Sequence, residues 1–233
     1  MADTNLNKSM YVAKGNALIQ KSRYSLSLME QKAILYAISK IKPNDALDSE
    51  YTFDIREFCK TCSLYDDGGF YQHYLQKLMM QLGTHVVRID AGQGRIILTH
   101  WFSSVVIDTE TKKFQISFDK NIRPYLFELK SFYTQYSLKY VLPMKSKYGI
   151  RLYELLKSVQ SLKREKKFEL DELKELIDSA AYPIYKDFRI KVLEPAMRDV
   201  NLYSDIYVKA IPRKTGRKVT HIEFEITPCD AMP

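Results

Sequence analysis

Apolar positions between Leu28 and Ile41 recur at helical spacing, at Leu28, Ile34, Leu35, Ile38 and Ile41, with Ser27 ahead of them and Glu30 three residues on. Ser-x-x-Glu before an apolar run is the capping-box arrangement, in which each side chain serves the other residue's backbone N–H. The pattern predicts a helix that starts at Ser27 and stops at Pro43. "YTFDI" (Tyr51 to Ile55) then alternates as a strand, "REFCKTC" is a short helix, and Asp66 to Gly69 is a loop. "FYQHYLQKLMMQL" is helical again, with Tyr71, Leu75, Leu78 and Leu82 on one side and Gly83 as its stop. From His85 to Ile107 two β-rich runs surround "AGQG", a hairpin. The strand "KFQISF" and a helix near Lys120 to Leu129 close this half. Residues 1–25 show no such pattern and are expected to form a flexible leader.

The second half repeats the order. "LPMKSKYGIRLYELLKSVQSL" predicts a helix, "KKFEL" a strand, and "DELKELID" a short helix capped by Asp171. "YKDFRIKVLEPAMRDVN" (Tyr185 to Asn201) is the next helix, and "IYVKAIPRKTGRKVTHIEFEI" is a hairpin with the basic tip "PRKTGRK". The spacing agrees too: 25 residues separate Phe53 from Leu78, and 25 separate Phe168 from Leu193. Helix, strand, helix, helix, hairpin, twice over, predicts an α+β chain of two tandem winged-helix domains related by pseudo-duplication. The expected limits are 26–131 for the first and 132–233 for the second.

In a winged helix the second helix of the pair can enter the DNA major groove, and the hairpin can reach phosphates. On a helical wheel, Tyr185, Phe188, Val192, Leu193, Ala196 and Val200 form one apolar arc. Asp187, Lys191, Glu194 and Arg198 lie opposite, as on any surface helix with a solvated face. Arg189 falls within the apolar arc, in the first turns, where a recognition helix touches base edges. Lys186, Arg189 and Lys191 can therefore face DNA together, and arginine can bond guanine O6 and N7 bidentately. Arg198 joins them as a DNA-binding candidate. Pro195 removes a backbone bond and should bend the helix. At the hairpin tip, Arg213, Lys214, Arg217 and Lys218 surround one Gly, which suits phosphate contact.

Charge adds to this picture. The 233-residue chain carries a formal net charge of +8, and residues 131–233 hold 19 Lys or Arg against 14 Asp or Glu. A basic balance of this size argues for a polyanionic partner. No run approaches the ~20 apolar residues of a membrane span, and the polar N-terminus carries no export signal. Three cysteines give no disulfide framework, so a reducing cytoplasm is the expected compartment.

The segments "SKYGIRLYELLKS", "FELDELKELI", "YKDFRIKVLEPAMRDVN" and "SDIYVKAI…GRKVTHIEFEI" resemble the Rep_3 family of plasmid replication initiators, and "LSLMEQKAILYAISKI" and "YTFDIREF" extend the resemblance over residues 16–227. The resemblance implies binding to repeated origin sites, called iterons, as a monomer, with recruitment of host replication proteins. It also implies repression of the initiator's own gene by a homodimer held through the N-terminal domain. It assigns base recognition to Lys186, Arg189 and Lys191, and wing contact to Arg213, Lys214, Arg217 and Lys218. It adds Lys147 and Arg151 as phosphate contacts, and Gln72, His73, Gln76 and Lys77 on the matching helix of the first domain. Ile190 departs from the pattern, standing where another basic residue is expected. A winged-helix transcriptional regulator without a replication role is the alternative reading.

Other chemistry finds no support in the pattern. His73, His85, His100 and His221 are solitary, so the paired-histidine metal site of a nicking initiator is missing. Cys59 and Cys62 form a Cys-x-x-Cys, but a structural zinc needs a second ligand pair. Without a Gly-x-x-x-x-Gly-Lys loop no nucleotide hydrolysis is expected. The expected protein is a DNA binder rather than an enzyme, with no metal, cofactor or membrane partner.

Overall fold

The computed structural model describes residues 10–62, 70–160 and 163–229, without the side chains of 70–72. Its first elements are β1 (Tyr11–Gly15), α1 (Asn16–Lys21), β2 (Ser22–Arg23) and α2 (Leu28–Ile38). They are followed by β3 (Glu50–Asp54), α3 (Ile55–Thr61), α4 (Phe70–Leu82), β4 (Val86–Gly92), β5 (Arg95–His100), β6 (Phe102–Asp108) and β7 (Lys113–Phe118). Next come β8 (Tyr133–Ser137), α5 (Lys147–Gln160), β9 (Glu165–Glu169) and α6 (Leu170–Leu176). The chain closes with α7 (Tyr185–Phe188), a π-helical turn (Arg189–Leu193), α8 (Glu194–Tyr203), β10 (Ile206–Thr215) and β11 (Lys218–Pro228).

The duplication is written into the sheets. In the first unit the strands run β3-β7-β6, and in the second β9-β11-β10, so each pre-helix strand pairs with the last strand of its hairpin. Both pairings carry the same aromatic contact: Phe53 meets Phe114 at 5.8 Å, and Phe168 meets Phe224 at 6.0 Å. The chain thus folds as two tandem winged-helix domains. The hairpin equivalent to the C-terminal wing is β6–β7, whereas the "AGQG" hairpin (β4–β5) is an insertion that pairs with β2. In the sequence β5 and β6 adjoin with only the fully buried Trp101 between them, so no turn residue marks where one hairpin ends and the next begins.

Helix α2 has its capping box: Ser27 N–H donates to Glu30 Oε2 at 2.7 Å, and Glu30 N–H donates to Ser27 Oγ at 3.3 Å. It stops at Ile38, before Pro43, where the Ser39 hydroxyl donates to the Tyr36 carbonyl at 2.7 Å. Tyr36 packs edge-on against Phe53 and Phe58. The caps differ from expectation at α6, which starts after Glu169; Asp171 lies inside its first turn, 3.5 Å from Lys174.

Two sequence expectations give way, and a third is not tested. Residues 10–25 are not a loose leader: β1 pairs along its length with β8, from Tyr11↔Ser137 to Gly15↔Tyr133, and α1 buries Leu18 and Ile19. Near 120–129 only a 3-10 turn forms, Arg123–Tyr125. Pro124 removes a backbone donor there, and Glu128 takes a left-handed φ of 50°, so no helix propagates. The loop expected at Asp66 to Gly69 lies outside the described residues.

Helix α5 joins the two units. It packs on α8 and, from the first unit, on α1 and α2. Glu154, fully buried on α5, accepts from Lys14 Nζ at 2.7 Å, from Arg151 Nη1 at 3.3 Å and from the Tyr136 hydroxyl at 2.5 Å. Burial by itself would push the Glu154 carboxyl up, but the charges of Lys14 and Arg151 and the hydrogen bonds from Lys14 and Tyr136 outweigh it and hold it below the ordinary value. Among the described residues no helix is long and apolar enough to cross a membrane.

Candidate nucleic-acid interface

Tyr185 to Tyr203 is one continuous helical stretch whose middle is π-helical. Pro195 supplies the reason. It has no N–H, and in a plain α-helix its ring would strike the carbonyl four residues back. The π turn lets the chain pass this point, with Glu194 N–H donating to the Arg189 carbonyl five residues back. Phe188 and Leu193, also five apart, share the buried side with Val192, Ala196 and Val200. The turn carries Arg189 outward, although a regular wheel sets it within the apolar arc.

On the outer side Lys186, Arg189, Lys191 and Arg198 are all exposed. Arg189 Nε stands 3.6 Å from Glu194 Oε1. Lys191 Nζ lies 5.8 Å from the Tyr182 ring. Two further contacts fix the helix. Asn201 makes a paired main-chain clasp with Val208, accepting at 2.7 Å and donating at 3.0 Å, which ties α8 to the first strand of the wing. Asp199 accepts from the Lys145 and Ser146 N–H groups at 2.8 and 2.6 Å, just ahead of α5. Gly149 allows this close approach, since a Cβ there would sit 3.0 Å from Asp199 Cβ.

The wing turns at Gly216, whose φ of 61° favours glycine. Lys214, Arg217 and Lys218 are exposed around it, and no ion pair with another described residue holds them. Arg213 differs: its Nε donates to Glu223 Oε2 at 2.6 Å across the hairpin. That hydrogen bond pulls the Glu223 carboxyl below its ordinary value and raises the Arg213 guanidinium.

Two candidates on α5 fare differently. Arg151 is not available to DNA. It is 2% exposed, donates to the carbonyls of Leu176, Ile19 and Ser22, and stacks 4.6 Å from the Tyr24 ring. Its guanidinium is a structural joint between α5, the N-terminal elements and α6, and the helical periodicity of "KYGIRLYELL" could not reveal partners so distant in sequence. Lys147 is half-buried and bonded to Asp178 Oδ2 at 2.6 Å; Ser25 donates to the same oxygen at 2.9 Å.

On α4, His73 and Lys77 are exposed one turn apart and Gln76 is half-buried, while Leu75, Leu78, Met79 and Leu82 fill the core. The Gln72 side chain lies outside the described residues. The sequence reading passed over the outer face of the inserted hairpin, where Val86, Ile96 and Leu98 are exposed, Leu98 at 67%. The signal was present: both faces of "VVRID" and "RIILT" carry apolar residues, which a half-buried strand does not need. Cys59 and Cys62 are both buried, and burial pushes the Cys62 thiol up to about 12.

The comparisons agree with this architecture. A family model described as "Initiator Replication protein, WH1" matches residues 11–157, and one described as "Initiator Rep protein, WH2" matches residues 169–226. The first match ends at residue 157, within α5. A replication initiation protein of Escherichia coli is 28% identical over 227 residues, covering 93% of this chain and 69% of that protein. Among solved structures, the Pi initiator protein in complex with iteron DNA superposes with a TM-score of 0.76 at 18% identity, over 95% of this chain and 98% of the other. Domains 2 and 3 of RctB give a TM-score of 0.50 at 12% identity, over 100% of this chain and 95% of theirs.

Proposed function

Because the chain belongs to the initiator replication protein family, we propose that it binds repeated double-stranded DNA sites in a plasmid origin and starts replication there. The carrying observation is that the second unit presents, on one helix and its adjoining wing, a set of exposed cations: Lys186, Arg189 and Lys191, then Lys214, Arg217 and Lys218. The Pi initiator, whose fold this chain shares, was solved with iteron DNA.

The chemistry is differential binding. Lys214, Arg217 and Lys218 neutralise phosphates and give sequence-independent affinity. Arg189 and Lys191, carried on the N-terminal part of the helix, read base edges in the major groove. In the first unit His73 and Lys77 do the corresponding work on α4, with Gln72 and Gln76 beside them. Arg198, further along the second helix, contacts the flanking backbone. Host replication proteins join the complex once the origin is bound, in a reducing cytoplasm.

A homodimer forms through the first unit and represses the initiator's own gene. The reading is supported by β5, the edge strand of its sheet, and by the apolar residues Val86, Ile96 and Leu98 on the outer face of its hairpin. Such an edge is a template for pairing with a second copy.

A replicon carrying the origin repeats and the gene for this chain tests the function. With the wild-type chain the plasmid establishes. With Arg189→Ala and Lys191→Ala together it fails, while the purified variant keeps its helical content. A plasmid that establishes equally well with both refutes the reading.

A further inference from the structure

Ile190 is 45% exposed, yet it sits on the cationic side of the recognition helix between Arg189 and Lys191, with Lys186 one turn earlier. An aliphatic side chain in water is unfavourable in proportion to its apolar area. The fold had alternatives at this place: Phe188, Val192 and Leu193, its neighbours on the same turns, are all at least 98% buried. The π turn is what separates them. Its extra residue lets Phe188 and Leu193 share the core side and leaves the consecutive trio Arg189, Ile190 and Lys191 facing out.

The surroundings limit what can cover Ile190. Its outward neighbours Lys186, Arg189 and Lys191 are positive, Glu194 stands 3.6 Å from Arg189 and Asp187 is half-buried one turn back, and the wing on the same unit adds Lys214, Arg217 and Lys218, so the cations outnumber the carboxylates. A polyanion fits that setting. Within the major groove of DNA the apolar group on offer is the 5-methyl of thymine. We propose that Ile190 is a specificity-determining residue that packs against a thymine 5-methyl group in the major groove, so that the site requires thymine at one position beside the base pairs read by Arg189 and Lys191. This rests on the DNA-binding reading of the same helix.

Such a contact explains why an aliphatic residue stands among cations. Arginine and lysine discriminate guanine well. They do not tell thymine from cytosine by shape, whereas an apolar surface does, because cytosine lacks the methyl and presents an amino donor.

Uracil-substituted duplexes test it. The preferred duplex is first selected from a random library with the wild-type chain. Each thymine is then replaced singly by uracil, which pairs identically and lacks only the methyl. The expected result is one position at which uracil weakens wild-type binding about fourfold, the worth of one buried methyl. Ile190→Ala loses a similar factor on the thymine duplex and becomes indifferent to uracil at that position. Tolerance of uracil at every position, a preferred duplex without a fixed thymine, or a uracil penalty that survives in Ile190→Ala overturns the proposal and leaves the DNA-binding reading standing. Failure of the wild-type chain to prefer any duplex overturns both. Circular dichroism of Ile190→Ala confirms that the helix is intact.

Discussion

Arg189 and Glu194, five residues apart, are joined twice across the π turn: Glu194 N–H donates to the Arg189 carbonyl, and the two side chains stand 3.6 Å apart. A regular helix brings residues three or four apart together. Here the partner is one residue further, and that offset holds Arg189, the arginine proposed to read base edges, next to a carboxylate.

On the proposed role of Arg189, Glu194 should oppose DNA binding. Replacing it with Gln frees Arg189 and removes a negative charge from the face proposed to meet DNA. Affinity for random-sequence duplex should rise several-fold, and the ratio of specific to random binding should fall. Competition titrations by fluorescence anisotropy check this; unchanged affinity for both duplexes counts against Arg189 as a DNA contact.

The wing cations fall into two groups. Lys214→Ala, Arg217→Ala and Lys218→Ala should each weaken binding to all sequences alike and flatten the plot of log affinity against log salt by about 0.9. Arg213→Ala should do less, because Glu223 already neutralises Arg213 at 2.6 Å. Glu223→Gln should act in the opposite sense, tightening binding and steepening the salt dependence. Affinities measured over a range of salt concentrations separate these cases.

The buried joint between the units makes a prediction about stability. Glu154→Gln leaves Lys14 and Arg151 buried without a charged partner, which costs roughly 3–5 kcal/mol. Because the folded Glu154 carboxyl titrates below its ordinary value of 4.5, its contribution is complete above that pH and is lost as pH falls through the folded value. The stability gap between wild type and Glu154→Gln should be constant near neutrality and shrink in acid. Denaturant titrations followed by the emission of Trp101, the single tryptophan and fully buried, measure it.

Leu98 lies on β5, the edge strand of the inserted hairpin's sheet. Leu98→Asp places a charge at the proposed dimer contact without touching the core, since the side chain is 67% exposed. Sedimentation velocity should show dimer for wild type and monomer for the variant, with single-site DNA binding unchanged. A variant that remains dimeric places the contact elsewhere.

What was legible in the sequence was local. The Ser27–Glu30 capping box, the helix from Phe70 to Leu82 and the C-terminal hairpin each follow from short-range periodicity and turn residues. What was not legible was non-local. The pairing of β1 with β8 spans more than a hundred residues, and Arg151 looked like a surface cation because its partners, the carbonyls of Ile19, Ser22 and Leu176, come from three distant segments. The place of Pro195 predicted a disturbance in the helix. Only the folded chain gave its form, a π turn that sets Arg189 outward. The candidate wing residues were recognised as a cluster, but the Arg213–Glu223 pair within it depends on strand register, which composition does not supply.

The most direct measurement is selection of bound duplexes from a random library at near-physiological salt, followed by sequencing. Two winged helices reading DNA predict a long motif that spans two adjacent major-groove segments, lost when Arg189 and Lys191 are both replaced by Ala. Enrichment of no sequence, with binding that disappears as salt rises, would mean that the positive charge acts generically, and it would contradict the account.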